Sequence, residues 1–202
     1  MPNIDQRSDT TLLADIQVCN RADDFNGFEA LLPVVLNRPA PIRVALADAW
    51  VCSIEQVRMD IMAGKIAASV GYELSIDGYA ACRRLCPDDS SYARDEAECR
   101  IDRAIEDETT VEQADDDLAS ALAIVRALVA TDPRDQRAHR LLGRALMRHA
   151  CLHPDAEAAS AVAAGCVSLR TALSIFVGDD ALWAWWRGIT ELAASPDQGL
   201  RG

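Results

Sequence analysis

Two of the chain's three histidines lie in the stretch RALMRHACLHPDAE, residues Arg144 to Glu157, with a cysteine between them. His149, Cys151 and His153 alternate as the ligands of a compact zinc site would, since imidazole and thiolate are donors that ion prefers. Helical geometry argues against one shared ion. At about 100° per residue, His149 falls on the apolar side of its helix and Cys151 near an arginine stripe. His139 sits about 15 Å up the axis from His149. That leaves His149 and His153 as an i, i+4 pair, and Pro154 biases His153 away from helical backbone. No HExxH or ExxH accompanies them. The expectation is that these histidines pack or cap near a helix C-terminus, where the macrodipole favours their charge. No cofactor is then expected, and a His149–His153 metal site is the alternative.

The stretch CRRLCPDDSSYARDEAEC presents Cys82, Cys86 and Cys99. Cys82 and Cys86 share a helix face, which suits a soft metal or an oxidant-responsive thiol pair. Their spacing matches no zinc or iron–sulfur pattern. Buried thiols acting as small hydrophobes are the expectation. Nucleophilic catalysis has no footing: no GxSxG, no CxxC and no phosphate-cradling glycine loop occurs. No catalytic residue is named, and a non-enzymatic role is favoured.

Two further constellations suit contact with a partner. Arg137, Arg140, Arg144 and Arg148 fall within an arc of roughly 80° on one helix. In DDALWAWWRG, Trp183 and Trp186 share a face at i, i+3 while Trp185 points elsewhere. Tryptophan and arginine are common interface anchors. The same tryptophans would also complete a core poor in aromatics. The acidic run from Asp95 to Asp117, with IEDE and ADDD, reads as a solvated face. A sharper possibility is that it answers the arginine stripe, within the chain or in a second copy.

The elements that position these groups are helices. The chain has 202 residues, half of them apolar, with few Gly and Pro, so a sizeable alanine- and leucine-rich core is expected. A net charge of −12 repels phosphate backbones and argues against nucleic-acid binding. The basic residues are almost all arginine, Lys65 being the only lysine, which reads as a bias of genome composition before one of selection; a bacterial chain is expected. The polar start MPNIDQRSDT has no secretory pattern, so cytoplasmic localisation and reduced thiols are expected. The weakly polar run from Ala158 to Gly178 reads as a buried helix and not a membrane span, because Arg170 interrupts its Ala, Ser and Gly residues.

Breakers at Pro41, Pro87, Pro133 and Gly178 are spaced 46, 46 and 45 residues apart. Fixed spacing in this range marks helical-repeat architectures, each interval being long enough for two helices. Small residues recur ten positions beyond the last three breakers, at Ala97, Gly143 and Gly188. The clearest helix runs from about Val111 to Ala130, with Thr109 or Thr110 opening it and Leu118, Ala121, Leu122, Val125, Leu128 and Val129 on one face. The next should open with Asp132 as N-cap and Pro133 at its first position. Further helices are expected over Thr10–Cys19, Asp24–Leu36, Ile42–Met62, Ala156–Phe176 and Asp180 to about Ala194. No alternating strand appears. The fold class is therefore all-α, about 7–8 helices in antiparallel hairpins, as a solenoid or an irregular bundle. Its expected domains are a polar arm with short helices over 1–40, a repeat domain over 41–195 and a flexible tail over 196–202.

The segment ALAIVRALVATDPRDQRAHRLLGRALM, about Ala121 to Met147, resembles tetratricopeptide repeats. Ala127–Leu128 ends one helix, Asp132–Pro133 makes the turn, and Leu142–Gly143 sits in the next. The period is a dozen residues longer than the family's, and His139 replaces an expected aromatic. The resemblance implies stacked hairpins that dock a protein or peptide on a groove, with no catalysis. The expectation is thus an adaptor whose contacts are Trp183, Trp185, Trp186 and the four arginines. A Cys/His metal-, haem- or redox-responsive protein, and a structural or self-associating subunit, are the alternatives.

Overall fold

A computed structural model gives the fold and describes residues 7–106, 108–154 and 157–176. Among these residues there are eight helices and no strand, as the composition and periodicity predict. They are α1 (Asp9–Ala22), α2 (Phe25–Val35), α3 (Ala40–Met62), α4 (Ala68–Leu85), α5 (Ser90–Arg103), α6 (Val111–Thr131), α7 (Gln136–Leu152) and α8 (Ala158–Ile175). Pro41 stands in the first turn of α3, so the interval to Pro87 spans α3 and α4; Pro87 to Pro133 encloses α5 and α6, and Pro133 to Gly178 encloses α7 and α8. Each regular interval in the sequence therefore holds one pair of helices.

The caps follow from local side-chain chemistry. Ser8 accepts the Thr11 amide at 3.2 Å to open α1, and Asp24 accepts the Gly27 amide at 3.0 Å to open α2. Thr110 accepts the Gln113 amide at 3.2 Å at the start of α6. The start of α7 differs from the sequence expectation. Asp132 spends its carboxylate on the Arg134 amide at 2.9 Å, closing a turn that contains Pro133. The helix begins three residues later, with Asp135 as the N-cap accepting the Ala138 amide at 2.9 Å.

The chain divides into two compact units, Met1–Ile124 and Val125–Gly202, and the division falls within α6. In the first unit α1 and α2 pack on α3 and share its core, so they do not stand apart as an arm ending at residue 40. α4 lies against α3, α5 and α2. This is a bundle with α3 and α4 at its centre. Trp50 and Phe28 stack obliquely with ring centroids 5.5 Å apart, among Leu12, Leu46, Ile54, Tyr79 and Leu85. Gly78 makes the α3–α4 approach possible: a Cβ there would lie 2.6 Å from Ile54 Cδ1.

In the second unit α8 folds back along α7. The helices meet at Gly143 and Gly165, where a Cβ on either would come within 3.1–3.2 Å of the other's carbonyl oxygen. Gly143, one of the small residues recurring ten positions beyond a breaker, stands at this close approach. α8 is less buried than its composition suggested: only 28% of its 18-residue apolar window is covered, while Val162 and Val167 are exposed. One face packs on α7 through Gly165, Leu169 and Ala172. By length and composition alone α8 could cross a membrane.

Candidate functional site

His149 and His153 come together, with ring centroids 4.9 Å apart. His153 caps the C-terminus of α7 and donates its amide to the His149 carbonyl at 3.0 Å. Cys151, between them, is exposed. Among the described residues no group of three or more His, Cys, Asp or Glu is placed to hold a metal. The pair supplies two donors where zinc takes four ligands. His139 is used elsewhere, its Nε2 lying 3.1 Å from the Pro133 carbonyl.

The thiols of Cys82 and Cys86 differ in setting. Cys82 is fully buried and its Sγ donates to the Ala47 carbonyl at 3.6 Å. Burial pushes this thiol up to about 12, with the nearby Cys86 and Asp48 adding to it. Cys86, half-buried, is the C-cap of α4. Burial raises its thiol too, against the opposing pull of Arg43. Protonated thiols are poor nucleophiles and poor ligands. Arg137, Arg140, Arg144 and Arg148 all lie on α7, half-buried, and each is engaged with neighbouring groups. Trp183, Trp185 and Trp186 lie outside the described residues.

The structure adds two features that the sequence did not announce. The first is a buried ionic lattice in the first unit. Asp117 of α6 is 1% exposed and takes a bidentate pair from Arg103, Nε and Nη2 each at 2.7 Å. Arg100 approaches the same carboxylate at 3.4 Å and bonds Glu96 Oε1 at 3.0 Å. Arg83 reaches from α4 to within 3.2 Å of Glu96 Oε2, as an ion pair and not an aligned hydrogen bond. The Thr109 hydroxyl donates to the Arg103 carbonyl at 2.6 Å and fixes the α5–α6 loop. Asp117 thus departs from the solvated face expected of the acidic run. It shares the buried arc of α6 with Ala114, Leu118 and Ala121, at i−3, i+1 and i+4. That register was the available signal.

The second feature is a solvent-open groove over the outer face of α3. Its larger recess, about 550 Å³, is lined by the first turns of α3 and by the α4–α5 turn, including Arg43, Val44, Asp48, Asp88, Asp89 and Tyr92. A smaller recess of about 200 Å³ lies between α1 and α3, with Leu13, Ile16, Ala45 and Cys52 in its wall. Asp48 lines both. Val44, Asp48 and Cys52 recur at i, i+4 and i+8, which puts them on one face of α3 opposite buried Leu46, Trp50 and Ile54. The breakers Pro41 and Pro87, 46 residues apart in sequence, mark the helix start and the turn that meet at this groove. The Arg43 guanidinium joins them by donating to the Leu85 carbonyl at 2.9 Å. Burial raises the Tyr92 phenol to about 12, so the ring is neutral at physiological pH.

The chain matches no known protein-family model, no curated protein and no solved structure.

Proposed function

We propose that this protein is a docking module that binds a partner protein or peptide on the outer face of its first unit. The observation that supports this reading is the groove itself. Two recesses sharing Asp48 run across α3, edged by exposed apolar Val44 and Leu13. Beneath them the α3 core around Trp50 is close-packed, which gives a surface of fixed shape. The tetratricopeptide-like segment agrees with an adaptor role, although it occupies α6 and α7 and not the groove. The arginines of α7 and the C-terminal tryptophans remain candidate contacts for a second site. A cytoplasmic, bacterial setting belongs to the same reading.

Affinity capture from the native host tests it, with the wild-type chain and a Leu13→Glu, Val44→Glu variant run side by side. Both substitutions fall on partly exposed positions, so the melting temperature is expected to hold. A partner retained by the first and lost by the second supports groove docking. Equal recovery by both chains overturns it.

A further inference from the structure

We propose that the groove accepts a basic amphipathic segment, with apolar side chains against Val44 and Leu13 and a lysine or arginine set between Asp48 and the Asp88–Asp89 turn. This rests on the docking reading above and names the chemistry of its partner. Three carboxylates, Asp48, Asp88 and Asp89, face one cation in the larger recess. That cation, Arg43, already donates to the Leu85 carbonyl. Arg94 of α5 also acts on Asp89, so the negative excess rests on Asp48 and Asp88, on a chain whose net charge is already −12. Asp89 is fixed as the N-cap of α5, with the Ser91 hydroxyl and amide holding its carboxylate below the usual range. Tyr92 brings a neutral ring to the same recess, a surface on which a cation is favoured. Beside the carboxylates the larger recess exposes apolar Val44, 43% exposed, and the adjoining smaller recess, which shares Asp48, exposes Leu13 at 36%. Apolar floor and acidic rim together fit an amphipathic helix or peptide carrying positive charge. A wholly apolar segment would leave Asp48 and Asp88 unanswered, and an acidic one would be repelled.

The test uses fluorescence anisotropy on the full chain with two labelled synthetic peptides of identical leucine spacing, one carrying lysines and the other glutamates at the polar positions. The lysine peptide is expected to bind and the glutamate peptide not. Asp48→Asn with Asp88→Asn should weaken the lysine peptide roughly five- to tenfold, the effect of losing one or two partly exposed ion pairs. Glu29→Gln with Asp116→Asn removes the same net charge from exposed positions elsewhere and should leave binding within about twofold. Equal weakening by both double variants would show attraction to the acidic chain as a whole and would overturn the proposal. So would a wild-type protein that binds neither peptide. If the charge variants fail to discriminate while Leu13→Glu, Val44→Glu still abolishes partner capture, docking stands and only the basic class falls. If that variant also has no effect, both readings fall. Saturable binding of an unlabelled second copy of this chain, in competition with the lysine peptide, would replace the foreign partner with self-association.

Discussion

Residues 1–124 close around large side chains, with Trp50, Phe28 and Tyr79 interlocked and a lattice of arginines and carboxylates joining α4, α5 and α6. Within residues 125–202, α7 and α8 meet almost backbone to backbone, with Gly143 and Gly165 at the crossing and Leu169 and Met147 beside them. The first arrangement fills space with volume; the second removes volume until the helices touch. Each is sensitive to the opposite kind of change. Truncation opens a void in the first, and one added methyl wedges the second apart.

Trp50→Ala should break the first side of that contrast most severely, costing about 3–5 kcal/mol of unfolding free energy. Chemical denaturation measures the loss, and hydrogen exchange should show α1–α5 loosening before α7 and α8. Asp117→Ala follows closely. It strands Arg103 and Arg100 with little water to replace the carboxylate, and removing one partner of a buried pair costs about 3–5 kcal/mol. Replacing Arg103 by Met in the same chain should recover much of that loss, which a mere packing defect would not show.

Gly143→Ala probes the second unit. Alanine is the better helix former by about 1 kcal/mol. Its Cβ would nevertheless meet Leu169 and approach the Gly165 carbonyl to 3.1 Å, so a net destabilisation of about 1–2 kcal/mol is expected. Exchange protection should fall in α7 and α8 alone. A stabilised variant would show that the glycine crossing is not tight.

A pH titration sharpens the comparison more gently. Burial holds Cys82 and Cys99 up near about 12, and Tyr72 and Tyr92 likewise near about 12. Groups whose folded pKa is raised contribute stability that is full below the unfolded value, about 8.5 for a thiol and about 10 for tyrosine. That contribution is lost as pH climbs through those values toward the folded ones. The melting temperature should therefore decline above roughly pH 8.5, with the first signs in the unit that holds all four groups. The smallest expected effect is on accessibility. At pH 8 a maleimide should label exposed Cys52 and Cys151 in the native protein and reach Cys82 and Cys99 only after denaturation.

Much of the helical framework is legible in the sequence. Periodicity located α3 and α6 to within a few residues, because long amphipathic helices carry their pattern redundantly. Turn chemistry was less legible. Asp132 and Asp135 are both good caps beside one proline, and choosing between them depends on where α6 stops. Side-chain charge was least legible. Three consecutive aspartates look alike in sequence, yet only Asp117 falls on the buried arc of α6, and its partners Arg100 and Arg103 stand across a loop. The groove was hidden for a related reason. Its wall joins the first turns of α3 to the α4–α5 turn, far apart in sequence, and only the packing of α4 on α3 brings them together.

The smaller recess carries a practical consequence through Cys52. An exposed thiol already stands in its wall, beside Leu13 and Ala45. Disulfide-forming fragments caught there would be tethered within the groove without engineering a new residue, once Cys151 is replaced by serine. The native chain thus carries its own covalent foothold for ligand discovery.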